Sequence, residues 1–324
     1  MTITSQGNWD MKILIMGGTR FVGVALTKLL VSLDHEVVLF NRGNRPAPVD
    51  KVRVILGDRT DPAQIREKLA SESFDAVFDN SGRELSDSKT LIDLCCDRIN
   101  HYIYLSSAGV YLPSDTLPYF EGDATDPRSR HKGKLDTEQY LEKLFKTKNF
   151  PYTAIRPTYI YGPQNYNDIE AWFFDRILRD RPIPIPDQGQ TITQLGHVED
   201  LASAMAAVLD NERTLGEIYN ISDVRYVTFL GLAKACATVA GKPNYDKFVF
   251  FDSKKINLDR RKGFPLRNQH FFTSVDKALE ELDWAPEYDL LSGVETSFRD
   301  YINSGRKDQP VDFSLDDQII AEVA

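Results

Sequence analysis

The fold is decided by Lys12-Ile13-Leu14-Ile15-Met16-Gly17-Gly18-Thr19-Arg20-Phe21-Val22-Gly23. The apolar run up to Met16 reads as a buried strand, and apolar residues three and four apart between Phe21 and Leu33 predict a helix. Between them lies a glycine turn. Strand, glycine turn and helix in that order let the backbone approach a pyrophosphate and aim helix N-terminal N–H groups at it, the setting of a dinucleotide fingerprint. Gly17, Gly18, Thr19, Arg20, Phe21, Val22 and Gly23 are therefore expected cofactor contacts.

The rhythm continues outward. Strands are predicted at 36–40, 52–56, 74–79, 101–106 and 152–156, alternating with helices at 62–70, 88–100 and 134–149. That alternation predicts an α/β fold, a Rossmann-type doubly wound parallel sheet with a smaller C-terminal α/β lobe. After residue 157 the pattern loosens. Helices remain readable at 169–179, 198–209, 228–240 and 275–282, while Pro182, Pro184 and Pro186 forbid one between. The expected organisation is an extension at 1–10 and a dinucleotide domain at 11–157, with elements returning from about 190–225. A substrate lobe interleaves at 158–303, and a polar tail at 304–324 is mobile until it docks.

Composition narrows the function classes. Thirty-nine Lys and Arg against 48 Asp and Glu give a net charge of −9, which excludes a globally basic nucleic-acid binder but not a locally basic face. No apolar run approaches the ~20 residues of a membrane span, so no membrane partner is expected. The three cysteines, two of them adjacent at Cys95 and Cys96, form neither a disulfide framework nor a zinc site. The first ten residues carry no apolar or Arg-rich targeting pattern, and a cytoplasmic home is expected.

Two positions bear on the cofactor. Arg20 stands between the glycines and either crowds a pyrophosphate or reaches for it. Arg42, in Phe40-Asn41-Arg42-Gly43, follows the second strand where NAD-binding folds place an acid for the ribose diol. An Arg there suits a 2′-phosphate, so NADP is favoured over NAD, unless Arg42 is simply a solvated loop charge.

With these residues the chain from about Met11 to Ser304 resembles the extended short-chain dehydrogenase/reductase superfamily, the nucleotide-sugar epimerases and dehydratases. Gly57-Asp58-Arg59 resembles its G-D after the third strand, and Asp79-Asn80-Ser81-Gly82 its fourth strand end. Leu105-Ser106-Ser107-Ala108-Gly109-Val110-Tyr111 is similar to its S-S-x-x-V-Y, and Arg156–Pro163 to R-P-x-x-V-Y-G-P. Gly196–Leu201 is similar to its later h-V-x-D-L. The resemblance implies cofactor contacts at Asn41, Arg42, Asp58, Arg59, Asn80, Ser81, Gly82, Lys134 and Pro157, and a catalytic hydroxyl at Ser107.

The chemistry departs at one place. Redox members need Y-x-x-x-K, with the Tyr hydroxyl moving a proton while hydride moves, and the Lys lowering the Tyr pKa. Lys134 is that Lys, but Arg130 stands four residues earlier. A guanidinium, with a pKa above about 12, exchanges no protons near neutrality. Ser107 and Lys134 then read as vestigial. The counter-reading takes the phenol from Tyr111 or Tyr119.

Basic residues cluster at three places: Arg128, Arg130, His131, Lys132 and Lys134; Arg260, Arg261, Lys262 and Arg267; and Arg176, Arg179 and Arg181. Aromatics lie among them, including Tyr159, Tyr166, Phe271 and Phe272. Phosphate of RNA and of a nucleotide sugar are both served by such groups; stacking faces along a groove favour RNA loops. Asp58, Asp79, Asp168, Glu170, Glu199 and Asp200 are candidate acids, but no spacing selects a metal pair, and His197 is a candidate acid/base.

More narrowly, Gly17–Gly23, Ser129–Lys134, Gln164–Phe174 and Asp312–Asp317 resemble the chloroplast stem-loop binding proteins, b-type, and their cyanobacterial homologues. That resemblance implies binding of structured RNA, association with ribosome or RNA polymerase complexes and self-assembly, with cleavage of RNA by some members using a divalent metal such as Mg²⁺. The expected RNA contacts are Arg128, Arg130, His131, Lys132, Arg260, Arg261 and Lys262. Three functions stay open: an RNA binder or Mg²⁺-dependent endoribonuclease, an NADP-dependent epimerase, dehydratase or reductase of nucleotide sugars, and a non-catalytic assembly factor. A homo-oligomer paired through helices 88–100 and 134–149 is expected.

Overall fold

A computed structural model describes residues 11–255 and 263–323. Among them the strands are β1 (Lys12–Met16), β2 (Glu36–Asn41), β3 (Arg53–Leu56), β4 (Ala76–Asp79), β5 (His101–Leu105), β6 (Tyr152–Pro157) and β7 (Tyr159–Tyr161). They continue as β8 (Ile183–Pro186), β9 (Ile192–Thr193), β10 (Leu195–His197), β11 (Glu217–Ile221), β12 (Val227–Thr228) and β13 (Phe248–Phe251). The first helices are α1 (Val22–Ser32), α2 (Pro62–Leu69), α3 (Leu85–Cys95), α4 (Lys132–Lys148) and α5 (Glu170–Leu178). The others are α6 (Val198–Ala207), α7 (Phe229–Val239), α8 (Asp276–Glu281), α9 (Leu290–Asn303) and α10 (Ser314–Val323).

The chain forms two compact units, each built from three stretches. The first runs to Thr158 and adds Glu199–Ile221 and Ser274–Ala285; the second holds Tyr159–Val198, Ser222–Thr273 and the stretch from Pro286.

The first unit carries a seven-stranded sheet in the order β11-β6-β5-β4-β1-β2-β3. Every pairing in it is parallel, with β1 lying between β2 and β4, in register with Val37–Phe40 on one side and Ala76–Asp79 on the other. Continuous apolar runs suit such a sheet, which is covered on both faces. Ile13, Leu14, Ile15 and Met16 accordingly expose nothing, while edge strand β3 leaves Val54 and Leu56 exposed.

In the second unit short strand pairs, β7 with β10, β9 with β12 and β8 with β13, surround a core of Phe173, Phe174, Ile177, Ile183, Ile185, Phe229 and Val294. The Pro-rich stretch is β8, paired in parallel with β13.

One expectation is corrected. The helix expected at 88–100 is α3, shifted toward the N-terminus: the Asp87 carboxylate accepts the N–H of Arg83 (2.9 Å) and Glu84 (3.1 Å), starting the helix early. The chain then leaves it at Cys96, with Asp97 at φ +59°. The tail is docked on its own unit. Ile319 of α10 is fully buried, and the Asp316 carboxylate pairs with Arg176 at 2.7 Å. Among the described residues no helix is long and apolar enough to cross a membrane.

Candidate functional site

The glycine turn joins β1 to α1 with Gly17 at φ +112° and Gly18 at φ +86°, conformations that glycine adopts without strain. Space demands glycine too. A Cβ on Gly18 would lie 2.4 Å from Leu39 Cδ2, and one on Gly23 only 2.7 Å from the Gly18 nitrogen. The Thr27 hydroxyl donates to the Gly23 carbonyl (2.7 Å) and the Gly18 carbonyl (3.2 Å), tying helix to turn. Phe21, buried, is held at φ +44° and ψ −112°, a costly backbone for a residue with a side chain. Thr19 and Val22 are partly buried, and Arg20 is exposed.

The C-terminal ends of the neighbouring strands carry unsatisfied polar atoms. Asn41 Nδ2, both amide atoms of Asn80, and Ser106 Oγ are buried without a hydrogen-bond partner. They follow or end β2, β4 and β5, on the edge of the sheet where the glycine turn sits. Buried polar atoms left unpaired are costly, and open α/β sheets take ligands outside this edge. Donor and acceptor atoms there, with a turn that only glycine can make, fit a dinucleotide. Pro157 ends β6, buried and in register with Ile221. Arg42 is exposed. Hydrogen bonds from the Thr60 backbone and hydroxyl, with the Arg42 charge, lower the Asp58 pKa.

Arg59 is committed elsewhere. Its guanidinium holds the fully buried Asp79 carboxylate with two bonds, 2.6 and 3.0 Å, and donates to Ser81 Oγ (2.7 Å), Ser88 Oγ (3.1 Å) and the Asp87 carbonyl (3.0 Å). Asp79 also accepts from Ser88 Oγ (2.5 Å), Tyr102 Oη (2.8 Å) and the Gly82 N–H (3.2 Å). Burial raises the Asp79 pKa, but the Arg59 charge and these donors outweigh it and hold the carboxyl at about 2. Ser81 Oγ passes the network on to the Met16 carbonyl (3.0 Å), at the mouth of the glycine turn.

At the superfamily's catalytic positions, Ser107 Oγ accepts the Gly109 N–H at 3.1 Å. The largely buried Lys134 ammonium donates to the Leu105 carbonyl and lies 5.3 Å over the Tyr104 ring. Burial, with Arg59 and Arg83 nearby, brings its pKa down to about 8. Arg130 is exposed, and its Nε contacts His131 Nε2 at 3.1 Å; the His131 ring in turn lies against Gly109. Both loop phenols are engaged in hydrogen bonds. Tyr111 Oη donates to Asn220 Oδ1 at 2.7 Å, its ring stacks on Tyr119, and burial pushes its pKa up to about 12. Tyr119 Oη accepts the Ser114 N–H at 3.1 Å.

The first basic segment is solvent-facing. Ser129 Oγ donates to the Gly109 carbonyl at 2.6 Å and anchors it beside Ser107. The Arg128 side chain is 87% exposed, and Lys132 pairs with Asp136 one turn along α4. Arg260, Arg261 and Lys262 lie outside the described residues.

The third basic cluster, Arg176, Arg179 and Arg181, is paired with acids of its own unit. Arg176 is buried on Asp316 and 3.4 Å over the Trp172 ring; Arg179 pairs with Asp175 at 3.2 Å, and Arg181 with Asp317. Of the candidate acids, Glu170 is buried, accepting the Gly162 N–H (3.0 Å) and Asn165 Nδ2 (3.1 Å), and burial raises its pKa. Asp168 pairs with Arg306 at 2.8 Å. His197, buried, packs on Tyr288 at 3.8 Å between ring centroids and contacts Thr296 Oγ1 at 2.9 Å. Among the described residues no group of three His, Cys, Asp or Glu is placed to hold a metal ion.

The sequence reading missed Asp79 as the organiser of the turn and Ser106 as an open polar atom. The signal was present: an acid closing the run Phe74-Asp75-Ala76-Val77-Phe78-Asp79 needs a buried cation.

A profile of the NAD dependent epimerase/dehydratase family matches residues 13–222. The chain is 45% identical over 327 residues to the chloroplast stem-loop binding protein of 41 kDa b of Arabidopsis thaliana, covering 97% of this chain and 85% of that one. An epimerase structure from Methanothermobacter thermautotrophicus superposes with a TM-score of 0.78 at 19% identity, covering 91% of this chain and 93% of that one. A dTDP-glucose 4,6-dehydratase of Bacillus anthracis, solved with NAD, does so with a TM-score of 0.76 at 18% identity, covering 91% and 98%.

Proposed function

The chain belongs to the NAD dependent epimerase/dehydratase family and, within it, to that of the chloroplast stem-loop binding proteins, and from that premise we propose that it binds structured RNA on a dehydrogenase scaffold. The observation that carries this reading is Arg130. It removes the proton carrier of redox chemistry, and it leaves in its place an exposed cationic segment, Arg128 to Lys132, anchored beside Ser107. Arg128, Arg130 and Lys132 supply the phosphate contacts, and His131 braces the segment on Gly109.

The glycine turn takes a dinucleotide, NADP rather than NAD, with Arg42 meeting the 2′-phosphate and Asn41, Asn80 and Ser106 offering their unpaired atoms. A bound nicotinamide would supply a hydride acceptor. Lys134 would hold the ribose, but no residue at position 130 moves the matching proton. Retained Ser107 and Lys134 favour a second reading, an NADP-dependent nucleotide-sugar enzyme. The RNA reading extends to RNA stability and to ribosome or RNA polymerase complexes. Cleavage of the bound RNA with a divalent ion such as Mg²⁺ is a further extension of this reading.

The test is anisotropy of a labelled stem-loop RNA at low and moderate salt, with and without NADP. Each phosphate contact contributes about 0.7–0.9 to the slope of log affinity against log salt, so Arg128→Glu, Arg130→Glu and Lys132→Glu together should flatten that slope by about two. Failure of the native protein to bind at low salt would overturn the reading, and NADP-dependent turnover of a nucleotide sugar would replace it.

A further inference from the structure

The second unit carries an aromatic pair, Tyr226 exposed and Phe272 half-buried, that neither the glycine turn nor the basic segment accounts for. Tyr226 is 45% exposed, and its ring lies 4.4 Å from that of Phe272, tilted by 41°. The backbone fixes the pair. Strand β9 is flanked on one side by β12, with Val227 opposite Thr193, and on the other by Phe271, bridged to the same Thr193. Tyr226 and Phe272 are the next residues on the two flanks.

Beneath them Gln194 is fully buried, its amide accepting the Thr273 N–H (2.8 Å) and donating to the carbonyls of Asp223 (2.6 Å) and Thr273 (3.2 Å). That amide clamps both flanks, so the platform is rigid before any ligand arrives. Two arginines are near: Arg225, exposed, precedes Tyr226 in the chain, and Arg267 lies 6.0 Å over the Phe271 ring, while the exposed His270 accepts the Ile192 N–H at Nδ1 (3.0 Å). Asp223 is present too, accepting the Arg225 N–H at 3.1 Å, which pins the loop and leaves the guanidinium outside.

We infer that the Tyr226–Phe272 pair is a stacking platform for an unpaired RNA base, with Arg225 meeting the adjoining phosphate; this rests on the RNA-binding reading above. Exposed aromatic faces beside cations match a single strand, which presents base faces and phosphates together. A duplex hides its base faces and offers only backbone. The partner chemistry is therefore the loop of a stem-loop and not its stem.

The experiment compares a labelled stem-loop with a blunt duplex of the same stem, against the full chain and Tyr226→Ala/Phe272→Ala. Loss of the rings should weaken stem-loop binding about tenfold, within the range for base–aromatic stacking, and leave duplex binding unchanged. Tyr226→Phe should bind as the native chain does. In parallel, a stem-loop with 5-iodouridine in its loop is photo-crosslinked to the native chain, which needs no variant to fold; adducts should fall on Tyr226 or Phe272. Equal stem-loop binding by the double variant, or adducts only elsewhere, would overturn the platform and leave the RNA reading standing. Absence of any RNA binding by the native chain would overturn both.

Discussion

Replacing Arg59 with Leu should destabilise the first unit strongly, and in a pH-dependent way. The variant keeps the side-chain bulk but removes the counter-charge of Asp79, which is fully buried. Two charges about 4 Å apart at an effective dielectric near 20 attract by about 4 kcal/mol. Breaking a buried pair from one side costs about 3–5 kcal/mol, and the donors left on Asp79, from Ser88, Tyr102 and Gly82, favour the lower end. The pH dependence separates this from lost packing. In the native chain the folded pKa of about 2 lies below the ordinary 3.8. The pair's contribution is therefore present above pH 3.8 and lost as pH falls toward 2. In the variant burial outweighs the donors that remain, the folded pKa moves above 3.8, and the carboxyl takes up a proton on folding. The stability gap between the two proteins should be about 3 kcal/mol at pH 7 and shrink toward pH 3. Urea unfolding followed by circular dichroism at both pH values measures it. A gap under 1 kcal/mol at pH 7, or an equal gap at pH 3, would refute the assignment of Asp79 as an ionised buried partner.

Two more predictions concern the turn and the tail. Gly18→Ala sets a methyl 2.4 Å from Leu39 Cδ2 at φ +86°, and should cost about 1–3 kcal/mol of strain and abolish NADP binding by calorimetry. Asp316→Asn leaves the Arg176 guanidinium buried without its counter-charge; α10 should loosen by about 3 kcal/mol, seen as faster limited proteolysis near residue 313 with the sheet's circular dichroism unchanged.

What the sequence made legible follows from period and composition. The β1 run and the glycines at 17, 18 and 23 were readable because only one local geometry accommodates them. Strand–helix alternation through Pro157 was readable because each parallel strand is a plain apolar run. Side-chain partnership was not readable in the same way. Arg59 and Asp79 are 20 positions apart and meet only because the C-terminal ends of β3 and β4 are brought to the same side of the sheet, so Arg59 read as a cofactor contact and its partner went unseen. The pairing of Arg176 was hidden because Asp316, its partner, lies 140 positions away. The start of α3 was misplaced because Asp87 acts through its carboxylate, which periodicity does not register. The Tyr226–Phe272 pair escaped notice for a related reason: its two flanks are neighbours only through β9.

The order of synthesis gives the seven-stranded sheet a particular vulnerability. Strand β6 is complete at Pro157, but β11, which covers its open edge, begins about 60 residues later. At translation rates of roughly 5–20 residues per second, that edge waits about 3–12 s for its partner. Throughout the wait it presents the unpaired backbone of Tyr152–Pro157, every residue of which is buried in the finished fold. An uncovered apolar edge is a template for a neighbouring nascent chain. Slow codons placed between residues 157 and 217 should therefore lower the soluble yield, and the same codons placed after residue 221 should not.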